Sequence, residues 1–141
     1  DLGQFDEDGR LIILGRRKHI IVNAYGRNID PEWLEAELCS QQAIHQAAVF
    51  GDEETPLTAL VVLTSPSTAE QVSSVIYQVN QQLPDYARIQ RYVVLKEPFT
   101  VSNGLLTGTG RLRRLAIKDA YQVDIDPTTY SSANEVYDDV L

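Results

Sequence analysis

The segment Ala59–Leu63 constrains the fold most strongly, because it places five apolar side chains in succession. Successive side chains of a strand point to opposite faces of a sheet, so this strand should be buried on both faces and lie centrally. A second β-rich run, Ile44–Phe50, precedes it, and the polar segment Gly51–Pro56 between the two runs is turn material. The pattern predicts a hairpin with strands at residues 44–50 and 58–63.

Three helices are predicted from capping residues and apolar periodicity. The pair Asp30-Pro31 favours a helix start, because Asp can cap free backbone amides and Pro is tolerated at the first helical position. Ser67-x-x-Glu70 is a capping box that opens an amphipathic helix, which Pro84 closes. A last helix is expected from Leu112 to about Tyr121.

The predicted fold class is α+β, with a small mixed β-sheet flanked by helices and preceded by a hinge β-hairpin. Residues 5–22 are expected to form that hairpin. Its turn is assigned to Phe5–Arg10 and its strands to Leu11–Leu14 and Ile20–Val22. Arg91–Leu95 is predicted to be a further short strand.

The net charge of −8 is concentrated at the C-terminal end, where residues 124–141 contain five acidic residues and no Lys or Arg. We expect this acidic segment, residues 123–141, to be a disordered tail. Backbone binding to duplex nucleic acid needs a broad basic face, so no nucleic-acid partner is expected. No apolar run approaches the roughly twenty residues of a membrane span, and no leader precedes Phe5, so a cytoplasmic protein is expected.

The chain offers no pattern of metal ligands. Its one cysteine, Cys39, has no cysteine or histidine at metal-binding spacing, and we expect it to be a small buried apolar side chain. His19 and His45 are isolated, so structural or surface roles are favoured over metal binding.

Two cationic segments lie about ninety residues apart. The first consists of Gly15–Lys18 followed by Tyr25–Glu32, and the second is Asn103–Arg114. Each places positive charge beside glycines near the start of a regular element, an arrangement that commonly receives phosphate or another anion. Read in isolation, the first segment could protect an edge strand from aggregation. The second could be a solvated helix face formed by Arg111, Arg113, Arg114 and Lys118.

In this order, the motifs resemble the C-terminal domain of the AMP-forming adenylating enzymes, the superfamily of acyl-CoA synthetases, peptide-synthetase adenylation domains and luciferases. The resemblance covers residues 1 to about 120. Asp1-Leu2-Gly3 is similar to a family segment whose Asp holds the ribose hydroxyls of ATP, and Arg16 matches a second ribose contact. Lys18 matches the hinge about which the domain rotates. Within the second cationic segment, the resemblance favours a functional role over a solvated helix face for Arg111 only.

Two further motifs imply roles in the two half-reactions. The loop containing Tyr25, Gly26 and Arg27 resembles the family loop that lines the pantetheine tunnel. Asn103–Arg114 resembles the last family motif, which carries a lysine to the acyl carboxylate and the α-phosphate. Arg111 stands at that lysine position, and Gly108 and Gly110 would give its loop mobility.

Two positions depart from the family pattern. Arg111 keeps the positive charge of the lysine, but a planar guanidinium has a different reach and geometry. Tyr25 replaces one of two glycines common in the tunnel loop, so it could narrow the path of the acceptor thiol. The resemblance therefore implies adenylation more firmly than transfer to CoA.

The resemblance implies the C-terminal domain of an ATP-dependent, AMP-forming carboxylic acid ligase. Two stretches, Asn103–Leu106 and Leu83–Arg88, lean toward fatty-acid ligases within the family. Residues 1–17 would end the large N-terminal domain and its hinge hairpin, residues 18–122 would form the mobile lid, and residues 123–141 the tail. ATP and Mg²⁺ would be bound mainly by the N-terminal adenylation domain, and CoA or a carrier-protein phosphopantetheine would be the acceptor. This domain alone is expected to have no catalytic activity.

The chemistry explains why a cation matters more than a base here. Adenylation joins a carboxylate to a triphosphate, and the repulsion between these anions must be offset by a positive charge at the reacting atoms. A carboxylate is already a nucleophile at neutral pH, which accounts for the lack of a catalytic triad in the sequence. Two other interpretations stay open. One is a free-standing α+β regulatory or protein-interaction module, and the other is an adenylating enzyme that delivers its product to a carrier-protein thiol.

Overall fold

The computed structural model describes residues 2–5, 11–15, 20–65, 71–125 and 135–137, which form an α+β fold. None of the helices in this described part has the length and apolar content needed to cross a membrane. In chain order, the elements are β1 (Leu2–Phe5), β2 (Leu11–Gly15), β3 (Ile21–Val22), β4 (Asn28–Ile29), α1 (Pro31–Cys39), β5 (Ile44–Phe50), β6 (Thr58–Leu63), α2 (Val72–Gln82), β7 (Arg91–Leu95), α3 (Arg114–Ala120), α4 (Gln122–Ile125) and β8 (Glu135–Tyr137).

The main sheet has the strand order β5-β6-β7-β8. Strands β5 and β6 pair in antiparallel fashion, with Ala48 opposite Leu60, so the predicted hairpin is confirmed. Strand β7 runs parallel to β6 and antiparallel to β8. A parallel pair needs a crossover connection, and α2 supplies it between β6 and β7.

Strand β6 divides the core into two parts, as its uninterrupted apolar sequence predicts. Ala59 and Val61 belong to a cluster on one face, which also contains residues of α1 and α2. Leu60 and Val62 belong to a second cluster, which contains Ile117 of α3. The sheet is therefore a middle layer with helices on both sides, and β6 is buried throughout its apolar centre.

Helix α1 begins where the sequence predicts. The Asp30 side chain accepts a hydrogen bond from the backbone N–H of Glu32 at 3.0 Å, and Pro31 is the first helical residue. Leu34 and Leu38 face the core. Cys39 was expected to be buried, but it is exposed. One residue beyond Leu38 corresponds to about 100° around the helix, which turns the Cys39 side chain away from the core face.

The expected pairing of the N-terminal strands was wrong. Strand β2 pairs with β1 in antiparallel fashion, and Gln4 lies opposite Ile12. Strand β3 pairs instead with β4, with Ile21 opposite Ile29. The loop between β3 and β4 is short, so β4 is the nearer antiparallel partner for β3. The sequence prediction overlooked β4 because it contains only two residues.

Helix α2 ends before Pro84, as predicted, but the capping box of Ser67 and Glu70 lies outside the described residues. Its buried face includes a polar residue, Asn80, which is 3% exposed. The Asn80 side chain donates to the carbonyl oxygen of Ile89 at 2.9 Å and accepts from the Ile89 N–H at 2.8 Å. These two hydrogen bonds fix the connection between α2 and β7.

The last predicted helix is present as α3, which is shorter than expected and is followed by α4. Arg91, buried in β7, donates through Nη1 to the carbonyl oxygens of Asp124 and Ile125 at 2.6 and 3.0 Å. Tyr137 of β8 stacks on Tyr92, with ring centroids 4.6 Å apart. The expectation of a disordered tail is therefore wrong for residues 123–125 and 135–137, and the rest of that segment lies outside the described residues.

Replacement of Asn80 by alanine should destabilise the fold by about 2–3 kcal/mol, because it leaves the buried N–H and carbonyl of Ile89 without their partner. Urea denaturation of wild type and variant measures the difference. Gln81→Ala, on the exposed side of the same helix, is the matched control and should change stability by less than about 0.5 kcal/mol. Equal midpoints for Asn80→Ala and wild type would contradict this role.

Candidate functional site

The predicted cationic loop is a hairpin closed by its own backbone. Leu106 and Leu112 form an isolated antiparallel bridge, and the N–H of Thr107 donates to the carbonyl oxygen of Arg111 at 2.8 Å. The Thr107 hydroxyl oxygen accepts from the Arg111 N–H at 3.0 Å, and the Gly110 N–H donates to the Thr107 carbonyl at 2.9 Å. The Arg111 side chain is exposed beside this turn. The guanidinium can therefore project away from the domain, as a group that reaches into another cleft must.

The two glycines of this hairpin differ in what the backbone requires of them. Gly110 has φ +85°, a conformation that residues with a side chain rarely adopt. Gly108 is outside that region, and a Cβ atom added there would meet no atom within 4 Å. Gly110 is therefore the residue of this turn whose backbone conformation requires glycine.

The base of the hairpin is also held by hydrogen bonds. Arg113 donates from its backbone N–H to the Leu105 carbonyl and from Nη1 to the Gly104 carbonyl, both at 2.9 Å. Asn103 donates to the Pro98 carbonyl at 3.0 Å and accepts from the Thr100 N–H at 3.0 Å. The segment is irregular, as predicted, yet it is closely tied to itself on the side that adjoins α3.

A buried ion pair lies directly behind the hairpin. Arg114, the first residue of α3, donates through Nη2 to Oε1 of Glu35 in α1, and both side chains are buried. The other carboxylate oxygen, Oε2, accepts from the Val49 N–H at 2.8 Å. Burial raises the pKa of Glu35 above its usual range, although the Arg114 hydrogen bond and charge and the Val49 N–H oppose that shift. Arg114 is thus not part of a solvated helix face, whereas Arg113 and Lys118 are exposed.

The second predicted loop, between β3 and β4, is organised by a buried asparagine. Asn23 Oδ1 accepts from the N–H groups of Tyr25 and Arg27, both at 3.0 Å. Its Nδ2 donates to the Tyr86 carbonyl at 2.8 Å, which anchors the loop to the segment after α2. Gly26 has φ +73°, which a residue with a side chain would adopt only with strain. The loop therefore has a defined shape set by one side chain.

Two side chains of this loop are presented to solvent. Tyr25 is 75% exposed, and Arg27 is also exposed. The Arg27 guanidinium carbon lies 4.2 Å from the ring centroid of Tyr86, a cation–π contact that restrains it. The loop thus displays an aromatic ring and a restrained positive charge on one surface.

One turn lies between the two loops. A groove of about 200 Å³ is lined by Tyr25 and the β5–β6 turn, and a larger groove of about 510 Å³ is lined by Arg113 and the same turn. Asp52 and Thr55 border both grooves. Burial tends to raise the pKa of Asp52, but hydrogen bonds from the N–H groups of Glu54 and Thr55 outweigh it and lower the pKa.

The site residues predicted from the sequence fall into three groups. Asp1, Arg16 and Lys18 lie outside the described residues. Of the two loops, Tyr25 lines the smaller groove beside the β5–β6 turn, and Thr107 and Arg113 at the base of the hairpin line the larger one, whereas residues 26–27 and 108–111 line neither. Sequence reasoning missed the anchoring roles of Asn23 and Arg114. An Asn two residues before Tyr25-Gly26 is typical of a side-chain-stabilised turn and could have identified the first.

Comparison with known proteins identifies relatives along most of the chain. Residues 18–134 match the family model described as the AMP-binding enzyme C-terminal domain. The long-chain-fatty-acid–CoA ligase FadD15 of Mycobacterium tuberculosis is 30% identical, over 89% of this chain and 25% of the relative. The chloroplastic long-chain-fatty-acid–[acyl-carrier-protein] ligase AEE15 of Arabidopsis thaliana is 28% identical, over 84% of this chain and 18% of the relative.

A solved structure shares the fold. The crystal structure of the adenylation domain of a carboxylate reductase from Mycobacterium chelonae superposes with a TM-score of 0.71 at 27% identity, over 84% of this chain and 23% of that one. The chain therefore spans a quarter or less of the length of each of these relatives.

Replacement of Gly110 by alanine should destabilise the hairpin turn by about 1 kcal/mol, because alanine is strained at φ +85°. Amide hydrogen exchange at Thr107 and Gly110 should then become about fivefold faster, the factor that corresponds to 1 kcal/mol. Gly108→Ala is the matched control, since its backbone conformation and surroundings accept a methyl group. The same exchange rates in both variants would show that the left-handed conformation is not required.

Proposed function

Because the chain belongs to the family of AMP-binding enzyme C-terminal domains, we propose that it is the mobile lid of an ATP-dependent, AMP-forming ligase that joins a fatty acid to a thiol. The two curated relatives described above are named as long-chain fatty-acid ligases, which supports the acid. The rest of the enzyme would be an N-terminal adenylation domain in the same protein. On its own, the present domain is expected to be inactive.

The exposed Arg111 guanidinium carries the proposal for the first half-reaction. The acid carboxylate attacks the α-phosphorus of ATP, the acyl-adenylate forms, and pyrophosphate leaves. Negative charge accumulates on the phosphoryl oxygens in the transition state, so a preorganised cation there lowers the barrier. Arg111 lies on a hairpin fixed by Thr107 and presents its side chain outward, so it can supply that cation to a partner domain. ATP would arrive with Mg²⁺, held by the partner domain.

The loop of Tyr25, Gly26 and Arg27 is proposed to serve the second half-reaction. Here the acceptor thiol attacks the acyl carbon and AMP leaves. The loop presents its residues to solvent in a shape set by Asn23, which suits a surface along which a pantetheine arm runs. One relative is named as a CoA ligase and the other as an acyl-carrier-protein ligase. Both acceptors carry pantetheine, so CoA and a carrier protein are the two acceptors to compare.

The exchange of the two loops would require rotation of the domain. We assign the pivot to Lys18, which is the residue at which the family match begins, and a ribose contact to each of Asp1 and Arg16. Residues 1–17 would then belong to the N-terminal domain and the hinge, and residues 18–122 to the rotating lid. The base of the hairpin and Tyr25 of the tunnel loop flank one turn of the lid, and rotation of the lid would replace one loop by the other at a single cleft.

In the full-length ligase, Arg111→Ala should reduce fatty-acid-dependent exchange of pyrophosphate into ATP by about 10²–10³-fold, the effect of removing one transition-state charge partner. Arg111→Lys should retain most of the activity, because it keeps the charge at the position where the family has lysine. Lys96→Ala, an exposed cation at the end of β7, is the control and should leave exchange unchanged. Normal exchange by a stable Arg111→Ala variant would remove this residue from the mechanism.

Tyr25→Ala should act on the second half-reaction only. Removal of the ring widens the acceptor path, so thioester formation should rise several-fold while pyrophosphate exchange stays the same. Single-turnover transfer from preformed acyl-adenylate to CoA, and separately to a phosphopantetheine carrier protein, measures the effect. If the transfer rate rises with only one of the two acceptors, the Tyr25 ring hinders that acceptor in the wild type. The other acceptor is then the natural one. A fall in pyrophosphate exchange would place Tyr25 in the first half-reaction instead.

A further inference from the structure

The two proposed functional loops are connected through helices that begin close behind them. Helix α1 starts at Pro31, four residues after Arg27, and α3 starts at Arg114, three residues after Arg111. The buried ion pair of Glu35 and Arg114 joins these two helices. It is therefore a direct link between the supports of two loops that lie about eighty residues apart in sequence.

The Glu35 carboxylate is fixed by different partners on its two oxygens. Oε1 accepts from Arg114, and Oε2 accepts from the backbone N–H of Val49 in β5 at 2.8 Å. A side chain with both oxygens engaged cannot rotate without breaking one bond. Helix α1, helix α3 and the main sheet are therefore held together at one point.

Arg114 borders a groove that reaches the β5–β6 turn. The groove of about 510 Å³ is bordered by Pro31, Val49 and Arg114, and also by Asp52 and Thr55. Those last two residues border the smaller groove, which Tyr25 lines. Arg114 thus borders the groove that the base of the hairpin lines, and the β5–β6 turn is shared by this groove and the one beside the tunnel loop.

We propose that Glu35 and Arg114 are positioning residues that hold the Arg111 hairpin and the Tyr25–Arg27 loop at a fixed separation. This inference rests on the proposed function, in which the two loops take turns at one cleft. A rotation that removes one loop brings the other to the correct place only when their separation is constant. A misplacement of about 1 Å can reduce a rate by two orders of magnitude, so this constancy has a kinetic consequence.

The energetics of buried charge support a geometric role. Removal of two charges from water is costly, and apolar residues of similar size often give equal or greater stability at such positions. A pair that is buried and shares its carboxylate with a backbone N–H contributes a fixed direction that apolar packing does not. Stability and loop position are therefore separable by mutation.

The first test measures the loop separation itself in the full-length protein. Spin labels at Ala24→Cys and Gly108→Cys, both exposed, in a Cys39→Ser background report the distance between the loops by pulsed electron resonance. Glu35→Gln can accept a hydrogen bond through one oxygen only, so the distance distribution should become about twofold broader. Glu37→Gln, on the same helix and outside the ion pair, is the control and should leave the width unchanged. An unchanged width in Glu35→Gln would overturn the proposal, whatever the enzyme catalyses.

The second test separates positioning from stability. Glu35→Gln should slow pyrophosphate exchange and thioester formation together, each by tenfold or more, whereas Arg111→Ala slows the first alone. The double variant Glu35→Leu, Arg114→Met replaces the pair by apolar groups and should unfold in urea near the wild-type midpoint while both rates stay low. Wild-type rates in that stable double variant would overturn the positioning role. A failure of Arg111→Ala to affect exchange, with the broadened distance still observed, would count against the proposed function alone.

Discussion

The contact between Glu35 and Arg114 is the interaction on which the arrangement of this domain depends. It joins two helices that lie about eighty residues apart in the sequence, and the remaining carboxylate oxygen accepts a hydrogen bond from the backbone N–H of Val49 in the sheet. A single carboxylate thereby connects the three structural layers. Because the ion pair is shielded from water, the positions of the layers are set by directed bonds as well as by apolar packing.

The loops on this framework are specified by local bonds that are independent of the ion pair. Asn23 shapes the loop that displays Tyr25, and Thr107 closes the hairpin that displays Arg111. Each loop keeps its own conformation, and the core controls only where that conformation is placed. This division fits a domain that moves as a body, because the chemical groups can change partners without refolding.

The sequence predicted those parts of the molecule whose signal is local. The uninterrupted apolar run at Ala59–Leu63 indicated a central strand, and Asp30-Pro31 located the start of α1. Interactions between distant segments were not predictable, because nothing near Arg114 in the sequence shows that Glu35 lies beside it in the fold. The pairing of Ile21–Val22 was misassigned for a related reason, since two residues give no periodicity from which a partner can be inferred.

The C-terminal strand β8 has a consequence for the sheet that supports both loops. Strand β7 carries β6 on one side and β8 on the other, with Tyr137 stacked against Tyr92 at the junction. Without the last few residues of the described chain, the outer amides and carbonyls of β7 would be open to strands of neighbouring molecules. Strand β8 therefore covers that backbone edge, and the outermost position in the sheet passes to a strand of only three residues, which offers little backbone for pairing with another molecule.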